Sequence, residues 1–342
     1  MDKITRISID TSKYVFTLHG SDREGRAVLR RNVRRQDLVG FFEKLKPLEV
    51  AMEACGGSHH WGRTLQALGH RVRLIPPQYV KPFVKRSKND RNDAQAISEA
   101  ANRPEPRDVP VKSAGVQAEA MLLSVRELLM HQRTQLINAL RGHATEFGLT
   151  AAKGDKGFAE LRAEIATVPD TVLPAAAGEA LQLLGGEIDR IAARLAQIDK
   201  LMTRRHRASE ASRRLGHIPG VGLVGALSFA TRVDASQFRS GRHFAAWLGL
   251  VPKQHSTGGK TRLGAISRAG DERLRQLLVL GATAVIQHAK PGRLGVSAWL
   301  LNLLERKPRK VAAVALANKM ARIIWAMLTS GETYRRPAPV AP

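Results

Sequence analysis

The chain has 342 residues, of which 43% are apolar and 25% charged, so a packed protein of two or three domains is expected and a disordered one excluded. Its formal net charge of +25 is unevenly spread: residues 1–110 hold 21 Lys and Arg against 13 Asp and Glu, residues 111–210 hold 13 against 12, and residues 211–342 hold 21 against 5. Charge kept only for solubility would be even, whereas two basic ends around a near-neutral middle suit a polyanion, and nucleic acid is the expected partner class.

The first segment, MDKITRISID, lacks the apolar run of a signal peptide, and a soluble cytoplasmic protein is expected. Residues 4–18 alternate apolar and polar side chains around Asp-Thr-Ser-Lys, which predicts a strand, a bend and a second strand. A third strand is predicted over 25–33 and a helix at Asp37–Leu45. LEVAMEACGG (48–57) reads as a buried strand, with Cys55 a small core filler in preference to a nucleophile. As the single cysteine, it excludes an intrachain disulfide and a cysteine-based zinc site. WGRTLQALG (61–69) predicts a helix, HRVRLIPP (70–77) a strand, and DRNDAQAISEAAN (90–102) a helix ended by Pro104. This order gives an α/β domain over 1–110, a mixed sheet with helices on its faces.

The middle, 111–207, is all helix in expectation. Leu122, Val125, Leu129, Leu136 and Leu140 keep helical spacing, and Leu181, Leu184, Ile188, Ile191, Leu195, Ile198 and Met202 step alternately by three and four, a heptad seam. A Gly-, Pro- and Ala-rich connector separates them, so an antiparallel coiled-coil arm or a dimerisation element is expected. The third part, 208–335, is helical and basic, and its apolar stretch Val311–Leu328, broken by Asn318, Lys319 and Arg322, reads as a buried or partner-facing helix and not a membrane span. The Pro-rich end, 336–342, is expected to be disordered.

Four acids stand out by position. Asp10 falls on the first strand, Glu53 on an apolar strand where a lone carboxylate is costly, and Asp90 and Asp93 share one face of a helix start. Singly, Asp10 can cap a turn, and Asp90 or Asp93 can be acids favoured by the helix dipole. Together they make an all-oxygen set that suits Mg²⁺, or Mn²⁺ in its place, and two such ions serve phosphodiester chemistry. In the basic third, HSTGGK (255–260) is either a surface turn or a phosphate-contacting loop. There Gly258 and Gly259 permit close approach, Lys253, Lys260 and Arg262 are available to phosphate, and Ser256 offers a hydroxyl nucleophile. Ile218-Pro219-Gly220-Val221-Gly222 is either an ordinary turn or the hairpin of a helix-hairpin-helix element, in which Gly220 and Gly222 expose backbone N–H groups to phosphate. Arg268, Arg273 and Arg275, read as lying on the helix that follows, form a solvated face or further backbone contacts.

In order and spacing, ISIDTSK (7–13), VAMEACGG (50–57), KNDRNDAQAI (88–97), IPGVG (218–222) and the block 244–275 resemble the DEDD transposase family of bacterial insertion sequences, the IS110 family, with the STGGK loop similar to its IS1111 subgroup. The resemblance covers about residues 4–330. It implies a ribonuclease-H-like domain of the Holliday-junction-resolvase branch, a coiled-coil linker and a C-terminal transposase domain. It implies Asp10, Glu53, Asp90 and Asp93 as metal ligands and Ser256, or Thr257 beside it, as the nucleophile. Partners implied are donor and target DNA, a structured guide RNA from the element's own non-coding end, and further copies of the chain, as a dimer that becomes a tetramer when active. Two other readings compete: a metal-dependent nuclease or junction resolvase that uses water, and a non-enzymatic nucleic-acid-binding scaffold. A sugar-kinase-like ATPase would need a second Gly-rich phosphate loop, and none follows.

Overall fold

The structure is a computed structural model that describes residues 3–84, 89–103, 108–290 and 296–336. Lys88, Pro104 and the end of the Pro-rich tail, 337–342, lie outside them. Contacts divide the chain into two units between Gln117 and Ala118.

In the first unit, alternation along residues 4–34 produces β1 (Arg6–Asp10), β2 (Val15–Ser21) and β3 (Ala27–Arg34), paired antiparallel. Ser12 shapes the first bend by accepting a hydrogen bond from the Val15 amide at 3.2 Å. The chain continues through α1 (Leu38–Phe42), β4 (Glu49–Glu53), α2 (Ser58–Ala67), β5 (Arg71–Ile75), α3 (Pro77–Val80) and α4 (Asp90–Ala101). β4 pairs parallel with β1, and β5 with β4, so the five strands run β3-β2-β1-β4-β5. The mixed sheet with covering helices is the expected α/β arrangement.

The strand period of two sorts the residues onto opposite faces. Ile7, Ile9, Phe16, Leu18, Val50 and Met52 turn to one side and form a core with Phe42, Trp61 and Leu65 of α1 and α2. At about 1.5–3 kcal/mol for each fully buried side chain, this layer is the main driving force of the unit. The other face is polar. Across the strands Asp10 stands opposite Thr17, and Thr17 opposite Asn32; Ser8 stands opposite His19, and His19 opposite Arg30. α4 covers this face with small residues, Ala96, Ala100 and Ala101, against Ala51 and Ile75.

The second unit takes up the helix α5 (Ala114–Thr145) from Ala118 onward, followed by α6 (Asp155–Thr167) and α7 (Ala175–Ala208). The seam residues Leu181, Ile188, Ile191, Leu195, Ile198 and Met202 of α7 are buried. Leu181 and Ile188 cluster with Leu140 of α5, while Ile198 and Met202 cluster with Leu123. Ion pairs between Arg126 and Asp199 and between Arg205 and Glu119 follow the same sense, so α5 and α7 run antiparallel. The Gly-, Pro- and Ala-rich connector, for which no helix of its own is predicted, holds a third helix: Phe158, Leu161 and Ile165 of α6 are buried beside both.

The remaining elements are α8 (Glu210–Leu215), α9 (Leu223–Arg232), α10 (Gly241–Trp247), the two-stranded ribbon β6 (Pro252–Gln254) and β7 (Leu263–Ile266), α11 (Glu272–Gln287), α12 (Ala298–Arg306) and α13 (Arg309–Ser330). Side-chain caps fix several starts: Ser240 accepts from the His243 amide and Asp271 from that of Leu274 at 2.9 Å. α13 is long and apolar enough to cross a membrane by length and composition alone. Here its Ala312, Ala317, Met320, Ala321 and Ile324 are buried in a core with Phe229, Phe244 and Leu278.

Candidate active site

The polar face of the sheet converges on acid. Asp10 ends β1, Glu53 ends the adjacent parallel strand β4, and α4 begins above them. Carboxylate oxygens of Asp10, Asp90 and Asp93 lie within 4.8 Å of one another; Asp10 and Asp93 are half-buried and Asp90 is exposed. Glu53 is outside that grouping but next to it. Burial, and then the charge of Asp93, raise its carboxyl above the ordinary value of 4.5. The capping duty falls to Asn89, whose side chain accepts from the Asn92 amide at 2.9 Å, so Asp90 and Asp93 are not the cap of α4. Like charges gathered this closely repel unless a cation shares them, and three oxygen donors in this space fit a hard divalent ion.

Beside the acids lies a cleft of about 300 Å³ lined by Thr17, His19, Asn32, Arg30, Arg31 and Arg91. Sequence reasoning missed it, although the basic run Arg30–Arg34 in the edge strand was a signal. Register explains the adjacency: Thr17 is the neighbour of Asp10, and Arg91 follows Asp90. Cys55 departs from expectation. It is exposed, because β4 ends at Glu53 and the chain turns out of the sheet; its thiol contacts the Thr11 hydroxyl at 3.3 Å.

In the second unit, Ser256 sits near the tip of the β6–β7 ribbon. Gly258 and Gly259 both have positive φ (54° and 75°), and the Lys260 amide donates to the Thr257 carbonyl at 3.0 Å. This is the two-residue hairpin turn that Gly-Gly favours, with Ser256 immediately before it. The Ser256 Oγ accepts from the Gln254 side-chain amide at 2.9 Å and from the Arg262 backbone amide at 3.2 Å. Two N–H donors on a hydroxyl oxygen favour its deprotonated form. Lys253, Lys260 and Arg262 are all exposed along this ribbon.

The other sequence candidates separate. Gly222 is exposed with open space where a Cβ would stand, at the start of α9. Gly220 has φ +84° and packs against the backbone of Gly281 in α11, a close approach that itself demands glycine. Arg268 is exposed and precedes α11 with φ 56°, a left-handed conformation that is costly for a side chain with a Cβ. Arg273 pairs with Glu127 at 3.3 Å. Arg275 is buried, donating to the carbonyls of Leu248 (3.1 Å) and Ala269 (2.7 Å), so it clamps the chain on either side of the ribbon instead of lining a solvated face.

Comparison with known proteins defines the class. The model described as "Transposase" of the DEDD type in IS110 matches residues 7–148, and that of the "Transposase IS116/IS110/IS902 family" matches residues 212–295. The chain is thus a transposase, an enzyme that cuts and joins DNA. More narrowly, it belongs to the IS110 family. It is 51% identical to the y4pF/y4sB protein of Sinorhizobium fredii, over 98% of this chain and 87% of that one. It is 43% identical to the transposase for insertion sequence element IS1111A of Coxiella burnetii, over 98% and 92%. With the transposase for IS1328 of Yersinia enterocolitica the figures are 36%, 98% and 100%.

Proposed function

We propose that this transposase is a site-specific recombinase whose acidic site in 1–110 works with the serine ribbon of 208–335, the helices of 111–207 linking the two. The convergence of Asp10, Asp90 and Asp93 within 4.8 Å, with Glu53 beside them, carries the reading. The β3-β2-β1-β4-β5 order, three strands antiparallel and two added in parallel, supports a ribonuclease-H-like fold for the first domain.

Asp10, Glu53, Asp90 and Asp93 hold the divalent cations, Mg²⁺ or Mn²⁺, with two ions as the working number. The chemistry a bound divalent ion supplies is positive charge beside the phosphodiester oxygens. Ser256 supplies the nucleophile: its Oγ forms a bond to phosphorus, the P–O3′ bond breaks, and the 3′ oxygen leaves as a hydroxyl. Its proton balances the one lost by the serine, and a 5′-phosphoserine link remains for strand exchange. Gln254 and the Arg262 amide orient the hydroxyl, and Thr257, engaged through its backbone in the turn, is the weaker candidate. Lys253, Lys260, Arg262, Arg268 and the exposed amides near Gly222, Gly258 and Gly259 hold DNA phosphates. A guide RNA selects donor and target DNA, and the chain acts as a dimer assembling into a tetramer.

Ser256→Ala tests the reaction. A covalent protein–DNA adduct in the parent and none in the variant supports the serine. Metal-dependent nicking that survives the substitution, with no adduct in either protein, replaces it with the water-using nuclease. Sequencing of nucleic acid that copurifies tests the guide: RNA from DNA flanking the element supports it, and random cellular RNA removes it.

A further inference from the structure

One hollow of the second unit lies at the base of the ribbon that carries Ser256, away from its tip. It is an open groove of about 1400 Å³ in the second unit, walled by α13, the N-terminal end of α10, Trp299 of α12 and the base of the β6–β7 ribbon. Its surface is mainly apolar, with Ile266, Val314, Ala315 and Ile323 in the lining beside Arg242, Lys310, Lys319 and Arg322, and among the described residues no carboxylate lines it. Trp299 is 38% exposed, and the Lys319 ammonium lies 4.2 Å from its ring centroid. Along α13 the lining runs from Lys310 to Ala326, about 24 Å at 1.5 Å per residue.

We propose that this groove binds unpaired DNA, with bases against the apolar lining and Trp299, and phosphates on the cations beside them. The charge pattern selects the occupant. An apolar partner would have to desolvate four cations without neutralising them. A duplex hides its bases and offers nothing to the apolar lining. A single strand presents apolar base faces and a regular row of negative charge together, the combination that stacking platforms in basic grooves bind. An enzyme that cuts and joins strands must part them from their complements, and exposed bases then gain from cover. DNA and not RNA is assigned because Pro252, Gly264 and Ile266 of the ribbon that carries Ser256 form one wall. A strand leaving the groove therefore runs along the hairpin. The inference rests on the DNA-joining activity and on that ribbon lying at the DNA, not on serine chemistry itself.

The test uses the full-length protein, stripped of nucleic acid and held in EDTA so that nothing is cut. Fluorescence anisotropy compares labelled oligothymidylate of about eight residues with oligouridylate and with duplex DNA. Trp299→Ala is expected to weaken oligothymidylate binding by about tenfold and duplex binding by less than about twofold, with Trp299→Phe restoring most of the loss. Lys310→Ala is expected to lower the slope of log affinity against log salt by about 0.7. Ala315→Leu, which adds bulk to the lining, provides a second route to the same loss, and circular dichroism checks that each variant folds. Oligothymidylate affinity unchanged in folded Trp299→Ala and Ala315→Leu overturns the proposal. So does tighter binding of oligouridylate, or a duplex affinity that falls equally. The two readings fail separately: an adduct at Ser256 with Trp299-independent binding sinks the groove alone, and Trp299-dependent binding without an adduct sinks the serine alone.

Discussion

Neutralising one member of the acidic cluster is expected to make the metal-free protein more stable, which is the opposite of what most substitutions do. Two unit charges 4.8 Å apart repel by about 3.5 kcal/mol at an effective dielectric constant of 20, and by about 0.9 kcal/mol in bulk water. Asp90 is exposed and Asp10 and Asp93 are half-buried, so the lower part of that range applies. Asp93→Asn keeps the shape of the side chain and removes its repulsion with Asp10, Asp90 and Glu53. In EDTA the transition of the first unit should rise by about 1 kcal/mol, a few degrees for a domain of this size. Millimolar Mg²⁺ should then reverse the ranking, raising the parent midpoint through preferential binding to the folded state and leaving the variant nearly unmoved. Differential scanning calorimetry with and without the ion reads both effects. A variant less stable than the parent in EDTA, or an equal Mg²⁺ shift in the two proteins, would refute the account of these carboxylates as a cation site.

Four further expectations follow from the same packing and charges. Glu53 binds its proton more tightly folded than unfolded, so metal-free stability should be highest below pH 4.5 on this account and decline as pH rises through the raised value; Glu53→Gln should flatten that decline in thermal melts across pH. Gly281→Ala places a Cβ 2.0 Å from the Gly220 carbonyl oxygen, and overpacking against backbone should cost about 1–3 kcal/mol by urea denaturation despite the better helix propensity. Arg268→Gly relieves a left-handed residue and should gain about 1 kcal/mol while weakening DNA binding and lowering its salt slope by about 0.9; unchanged DNA affinity would mean that the side chain touches no phosphate. Arg275→Met removes two charge-assisted bonds to carbonyls, and a loss of about 2–4 kcal/mol should come with faster proteolysis at residues 253–263.

Much of the first unit was legible because its strands are short and sharply patterned. The alternation around Asp10 and the apolar run before Glu53 each locate a strand, and the acids of α4 announce themselves at a helix start. Register was not legible. Nothing local says that Thr17 and Asn32 lie in the row of Asp10, so the cleft with Arg30, Arg31 and Arg91 came only with the fold. The β6–β7 ribbon escaped because every residue of β6 is exposed, and a strand with no buried face has no hydrophobic period to read. α6 escaped for a different reason: glycines and prolines around it mask a helix whose buried residues, Phe158, Leu161 and Ile165, are few. Arg275 shows the limit of reading charge as surface, since its partners are main-chain carbonyls that no side-chain pattern reveals.

The ribbon that presents Ser256 is held by a Gly-Gly turn and a few hydrogen bonds, and apart from its base it shares none of the core that keeps α11 and α13 together. Opening it therefore exposes little apolar surface and need not await global unfolding. On the proposed serine chemistry, the nucleophile and the scaffold that carries it have separate thermal lives. On warming, strand cutting should fade at temperatures where the helices are still fully formed, and it should return on cooling without any refolding step. Heat would then silence the proposed serine chemistry before it unfolds the helices on which the ribbon stands.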